Sequence, residues 1–331
     1  MKKILVGSPE FHQLTGEDNG CPLYLMMNLP TSCSYRCKKC ALAGCGRTVG
    51  PILTSTERTR VVQTAAEAKI RTLVIIGNGE PTENFGLVSE VIAAAHHHGL
   101  TTIMFTTASQ MDAKQATFYA QHGASLIVSL DSLVPEMYHY LTGTGNLPRV
   151  MANIELLRKI YAQHAGTLNE HQLVRLGVNV TTSTQNISEL ASIRAFCGLD
   201  MQFVVNPPMQ RGRLRGGQAW TRMIADNYGL LKTAAEAHSE TGGHSSLTTD
   251  GVCGYFHRGV SVDVDGAFLS CGYAGETGGL LGNAHDAEPG DLLAINDRVR
   301  SGYATLCSRL GHAPSCPVRD GLPELVKILI S

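Results

Sequence analysis

Apolar runs recur along the first two thirds of the chain at LYLMMNL (23–29), TLVIIGN (72–78), TTIMFTT (101–107), SLIVSLD (125–131), VRLGVNV (174–180) and MQFVVNP (201–207). Their lengths and flanking turn residues predict strands. Between them, apolar residues return at helical spacing: Leu87, Val91 and Ala95 make one face, and Val150, Ile154, Leu157 and Tyr161 another. Glycines punctuate the helix ends, as Gly99 does after His96, His97 and His98. Six strand units with helical crossovers imply an α/β fold with a parallel sheet buried on both faces. In such folds the chemistry gathers where the strands end.

After residue 216 the pattern changes. GGQAWTRMIADNYGLLKTAAEAHSE reads as a linker and helix, and TGGHSSLTTDG as a polar loop. SVDVDGAFL, inside residues 253–271, alternates around Asp-Gly and predicts a β-hairpin. A last helix is expected over 291–310. Two units follow: residues 1–215 as a β/α core and 216–331 as a smaller cysteine-bearing cap. Internal repeats and low-complexity segments are not apparent.

Composition narrows the function. A formal net charge of −1 and a near-neutral pI leave no field for a polyanion, so nucleic acid is not the expected partner. MKKILVGSPEFHQ is too short in apolar residues for a signal peptide, and no run approaches a membrane span. A cytoplasmic protein without a membrane partner is the expectation. Ten cysteines in a reducing compartment point to metal or redox chemistry rather than disulfides.

TSCSYRCKKCALAGC (31–45) concentrates that chemistry. Cys33, Cys37 and Cys40 are separated by three and then two residues. Thiolates take soft metal centres, and a cubane iron–sulfur cluster normally takes four of them. Three on one loop leave one iron open to an exchangeable group. Cys45 as a fourth ligand would close the site. A structural zinc site usually pairs two short knuckles, which this segment lacks.

This spacing resembles the radical S-adenosylmethionine (SAM) superfamily, and the resemblance covers roughly residues 22–215. It implies a partial (β/α)6 TIM-like barrel whose first loop holds a [4Fe–4S] cluster on Cys33, Cys37 and Cys40. In that family SAM occupies the open iron, and an electron cleaves it to a 5′-deoxyadenosyl radical that abstracts a substrate hydrogen. GNGEPTEN (77–84) resembles the segment holding the methionine moiety, through Asn78, Gly79, Glu80 and Pro81. Glu80 would orient that turn through backbone amides. FTTASQM and IVSLDS resemble the ribose and carboxylate contacts, through Thr106, Thr107 and Ser129, with Asn179 in the fifth strand a further contact. As plain structure, these residues would be strand ends and caps.

The late cysteines resemble a second family feature. Cys253, twelve residues, Gly266, four residues and Cys271 match the opening of the auxiliary-cluster cap called twitch, a shorter relative of SPASM. Cys307 and Cys316 would complete a second [4Fe–4S] cluster. Size and layout resemble enzymes modifying aminoglycosides and aminocyclitols, such as neomycin C epimerase and deoxy-scyllo-inosamine dehydrogenase. The molybdopterin-pathway cyclase is similar in the barrel, including VSLDSL, but its late cysteine spacing and paired-glycine tail are not found here. The leader-binding domain of peptide-modifying relatives is also not expected.

The resemblance therefore implies hydrogen abstraction from a small carbohydrate-like substrate, with epimerisation ahead of two-electron oxidation. Modification of a peptide or protein side chain without a leader domain is the other alternative. A flavodoxin or ferredoxin would supply electrons. Epimerisation needs a hydrogen-atom donor, for which Cys45 is the candidate; Cys21 and Cys197 precede strands and belong at the opposite end of the barrel. Asp263, Asp265, Glu276, Asp286, Glu288 and Asp291 would face an amino sugar or merely solvent. Arg211, Arg213 and Arg215 suit a carboxylate or phosphate.

Overall fold

The computed structural model describes residues 2–18, 22–41, 50–76, 78–208, 213, 219–240, 254–272 and 279–310. Strands β1 (Lys3–Leu5), β2 (Tyr24–Met27), β3 (Thr72–Ile75), β4 (Thr101–Thr106), β5 (Ala124–Ser129), β6 (Gly166–Leu168), β7 (His171–Val174), β8 (Leu176–Thr181), β9 (Met201–Asn206), β10 (Gly259–Val262), β11 (Ala267–Leu269) and β12 (Leu280–Asn283) alternate with helices. The helices are α1 (Pro9–Leu14), α2 (Ser55–Glu67), α3 (Phe85–His97), α4 (Ala113–Gln121), α5 (Pro135–Thr142), α6 (Leu147–Tyr161), α7 (Leu190–Cys197), α8 (Ala219–His238), α9 (Gly254–Arg258) and α10 (Pro289–Leu310).

Nine strands form one sheet in the order β12-β11-β10-β2-β3-β4-β5-β8-β9. From β10 to β9 every neighbouring pair is parallel, which gives the expected α/β barrel-type core its consecutive strand order. Side chains alternate across it. Leu25, Met27, Leu73, Ile75, Leu126, Val128 and Phe203 join the helix-side core. Met26, Val74, Ile103 and Ile127 pack on the other face with Leu5 and Val174. Burial on both faces explains the near-continuous apolar runs.

The helices carry local start signals. Thr54 and Glu57 form a reciprocal capping box before α2. Asn84 and Asp112 accept the third backbone N–H of α3 and α4. The Val150, Ile154, Leu157 and Tyr161 face of α6 is buried, as expected. In α3, Val88 and Ile92 are buried beside Val91 and Ala95, while Leu87 lies at the edge of the face.

Two features differ from the periodicity reading. The run 174–180 is not one strand, because Val174 ends β7 and Leu176 begins β8. Arg175 marks the break, and its guanidinium donates to the Gly123 carbonyl. The small sheet β1-β7-β6 was also not expected. It sits where the barrel strands begin: Ser125 donates to the Val6 carbonyl (2.8 Å), and the Lys3 ammonium to those of Gly198 and Met201 (both 2.7 Å). Strands of three or four residues are too short to show alternation.

The predicted hairpin is β10–β11, turning at Asp265-Gly266, where Gly266 has φ +79°. It does not form a separate sheet. β10 pairs parallel with β2, so the later part of the chain extends the core sheet at the edge carrying the cysteine loop.

Candidate functional site

The loop after β2 carries Cys33, Cys37 and Cys40, and its backbone is held from several sides. Ser34 N–H donates to Glu83 Oε1 (2.7 Å) and Ser32 Oγ to Glu83 Oε2 (2.8 Å). Arg36 and Lys38 N–H groups donate to the carbonyls of Thr142 and Leu141, both at 2.9 Å, at the end of α5. Cys40 N–H closes a turn on the Cys37 carbonyl, and its own carbonyl accepts from Arg213 N–H (3.0 Å). Although burial pushes the Glu83 carboxyl up, hydrogen bonds from Ser34 and Ser32 outweigh it and hold the group below the usual range.

The loop after β3 lies directly against this segment. Asn78 N–H donates to the Leu29 carbonyl (3.0 Å) and Glu80 N–H to the Ser32 carbonyl (2.7 Å). A Cβ at Gly79 would stand 2.1 Å from the Thr31 carbonyl oxygen and 2.3 Å from that of Ser32. Only glycine lets the two backbones approach so closely. Pro81 starts a single 3-10 turn (Pro81–Glu83) at the base of this loop.

Glu80 is 2% exposed, and its carboxylate is filled by protein donors. It accepts from Thr82 N–H (3.0 Å), Thr82 Oγ1 (2.6 Å), Thr106 Oγ1 and Thr107 N–H (2.7 Å). Glu80 thus clamps the loop to the end of β4. Thr106 belongs to the same brace, since its hydroxyl also accepts from Ala108 N–H (2.8 Å). Thr107 is half-buried, and its Oγ1 donates to Ser109 (3.1 Å).

Ser129 ends β5 opposite Asn179 of β8. Asn179 Oδ1 accepts from Asn206 Nδ2 (2.7 Å), so these amides and a hydroxyl occupy adjacent strands near their carboxyl ends. Just beyond, Lys39 forms a buried ion pair with Asp131, and its ammonium also donates to the Thr181 carbonyl (2.9 Å). Burial pulls the Lys39 ammonium below the usual lysine range, and Asp131 pulls it back up. Sequence reasoning missed Glu83, Lys39, Asp131 and Asn206. Glu83 stood inside the GNGEPTEN segment, whereas charge in CKKC gave no sign of burial.

The donor set fits an iron–sulfur cluster. Cys33 and Cys37 are partly buried, are not disulfide-bonded and pack against the apolar core. Desolvation pushes their thiols up to about 11 and about 12, respectively, and the neighbouring Cys40 thiol adds to both rises. Asp131 also raises Cys37, and Lys39 opposes it. Such thiols stay protonated near neutral pH unless a bound soft cation displaces the proton. Among the described residues no three His, Cys, Asp or Glu side chains converge on one metal ion. A cubane makes no such demand, because each thiolate takes a different iron.

The remaining expected ligands are less fully placed. Cys271 is buried where β11 ends. Cys307 lies in α10, in a stretch whose side chains are not described, and Cys45, Cys253 and Cys316 lie outside the described residues. Of the three arginines, only Arg213 is described. Three of the six acidic residues have partners within the protein: Glu288 pairs with Arg60, Asp265 accepts from Ala267 N–H (3.3 Å), and Asp263 accepts from Asn78 Nδ2 (3.4 Å). Glu276 lies outside the described residues. Cys197, at the end of α7, is buried near Lys3, which lowers its thiol pKa against the dominant upward push of desolvation.

Comparison with known proteins bears on the fold and the family likeness. Residues 27–169, from the end of β2 through β6, match the Radical SAM superfamily, and the α/β fold with its parallel sheet is that of a radical SAM domain. GTP 3′,8-cyclase of Pseudomonas savastanoi pv. phaseolicola is 27% identical over 296 residues, covering 82% of this chain and 83% of its own. Streptococcus suis SuiB bound to precursor peptide SuiA superposes with a TM-score of 0.61 at 15% identity, over 88% of this chain and 70% of its own. Native anSMEcpe with bound AdoMet superposes at 0.56 and 13% identity, over 93% and 96%. The structural likenesses establish the fold. The matched sequence relatives include GTP 3′,8-cyclases, so the aminoglycoside resemblance carries the substrate only as a proposal.

Proposed function

We propose that this chain is a radical SAM enzyme acting on a small polar molecule, with a [4Fe–4S] cluster held by Cys33, Cys37 and Cys40. The observation that carries this reading is the close crossing of the three-cysteine loop and the Asn78–Pro81 loop at Gly79. One loop offers three thiols, and the other crosses its backbone at Thr31 and Ser32, immediately before Cys33. Held there, the cluster and SAM would supply, with one electron from an external reductant, the means to abstract a substrate hydrogen atom. In this reading Glu80 and Thr106 brace the loop that receives the methionine end, while Thr107, Ser129 and Asn179 contact the rest of SAM from the strand ends.

A carbohydrate-like substrate and epimerisation remain our proposal for the reaction, supported by the Cys253–Gly266–Cys271 spacing. Cys271, with Cys253, Cys307 and Cys316, would hold the second cluster. Cys45 is the candidate hydrogen donor, and flavodoxin or ferredoxin the candidate reductant. A second reading, cyclisation of GTP, is favoured by the relatives' 27% identity over most of the chain.

Anaerobically reconstituted protein with reductant and SAM tests the shared core. Formation of 5′-deoxyadenosine is expected, and its absence from iron-loaded protein would overturn the assignment. GTP and an aminocyclitol set, each analysed by mass in deuterium oxide, separate the substrates. One deuterium at an inverted sugar carbon marks epimerisation through an exchangeable thiol. A sugar product two hydrogens lighter marks oxidation, and a cyclised product from GTP marks the second reading.

A further inference from the structure

Lys39 stands between the second and third cysteines of the loop, yet its side chain is only 7% exposed, as is that of Asp131. The pair belongs to a built polar node. Asp131 Oδ1 also accepts from Thr181 N–H (3.1 Å). Asn186, fully buried, donates through Nδ2 to the carbonyls of Asp131 (2.9 Å) and Thr181 (3.1 Å). Its Oδ1 accepts from Ser183 N–H (2.7 Å) and Ser183 Oγ (3.0 Å). The ends of β5 and β8 are therefore locked together before Lys39 reaches them. Its ammonium is the contact by which this node holds the cysteine loop.

We propose that Lys39 is a positioning residue that fastens the cysteine loop to the ends of β5 and β8 and screens the Asp131 carboxylate from the thiolates. The first role is a property of the folded chain. The second rests on the cluster reading above. Two charges buried together neutralise each other's field, whereas removal of either leaves an uncompensated charge at low dielectric. Iron–sulfur potentials respond to net charge close by. A negative charge left beside the cluster resists reduction, and a positive one favours it.

The experiment uses full-length protein in the variants Lys39→Gln, Asp131→Asn and the neutral double variant. In the protein without metal, trypsin cleavage after Arg36 and Lys38 reports loop attachment. Lys39→Gln is expected to accelerate it several-fold while the melting transition stays cooperative. In loaded protein, the midpoint potential of the cluster is followed by the electron paramagnetic resonance of its reduced form. Lys39→Gln is expected to shift it down, Asp131→Asn up, and the double variant back toward wild type. Unchanged cleavage in Lys39→Gln would overturn the fastening role. Unmoved potentials, or shifts of one sign in both single variants, would overturn the screening role, because mere loosening has no reason to follow the sign of the charge removed. If wild-type protein takes up no cluster, the cluster reading and the screening role fail together, while the cleavage comparison still decides the fastening.

Discussion

Replacing Gly79 by alanine tests whether the two loops must touch. The added carbon would lie 2.1 Å from the Thr31 carbonyl oxygen, 2.3 Å from that of Ser32 and 2.6 Å from the Thr31 carbonyl carbon. A relaxed carbon–oxygen contact needs about 3.3 Å. The loops must therefore separate by roughly 1 Å, and the atoms in the way are backbone, which cannot rotate aside. The bond from Glu80 N–H to the Ser32 carbonyl, 2.7 Å long, would then stretch beyond useful range. Overpacking costs about 1–3 kcal/mol, and a buried bond left unmade costs about the same again. A loss of roughly 2–6 kcal/mol follows, which for a chain of this size, with an unfolding entropy of about 0.7 kcal/mol/K, lowers the melting temperature by roughly 3–9 °C. Iron retained after reconstitution should fall as well, since Ser32 adjoins Cys33. Gly86→Ala is the control, because nothing lies within 4 Å of its added carbon and its helix should if anything gain. Thermal unfolding and iron per chain measure both variants. A Gly79→Ala protein with wild-type melting and full iron would refute the argument.

Other outcomes follow from the same geometry. Wild-type protein reconstituted anaerobically should carry about eight irons, and Cys33→Ala/Cys37→Ala/Cys40→Ala about four with no SAM cleavage; four in the wild type would remove the second cluster. Glu80→Gln replaces one accepting oxygen by an NH2 donor that faces the donors of Thr82 and Thr106 or of Thr107, and should cost about 2 kcal/mol in urea unfolding; an unchanged midpoint would deny the clamp. Cys33 and Cys37 have folded-state pKa values near 11 and 12, above the 9.0 of an ordinary thiol, and burial raises Tyr119 and Tyr138 also. A raised pKa means the folded state keeps its proton longer. The stability of the metal-free protein should therefore hold below pH 9 and fall as pH rises through about 11–12, as denaturation midpoints against pH would show. Loading should conversely release protons into weakly buffered solution, since bound thiolates are ionised.

Much of the architecture could be read locally. A strand buried on both faces must be apolar at nearly every position, so β2, β3, β4, β5 and β9 stood out as runs. Helix α6 announced its buried face through 3.6-residue periodicity, and Asp265-Gly266 announced a hairpin through the one residue that takes φ +79° without strain. The spacing of Cys33, Cys37 and Cys40 pointed to soft-metal chemistry because all three thiols lie on one short loop. What the sequence could not determine was which distant surfaces meet. β10 joins the core sheet beside β2, Asn78 reaches Asp263 across 185 positions, and the carbonyls facing Gly79 belong to another loop. Lys39 and Asp131 look like solvated charges in a one-dimensional reading, and only folding removes the water from both and leaves each the other's partner. Periodicity reports the environment of a residue within its own element. Contacts between elements depend on the packing of all the faces at once, and that is decided in three dimensions.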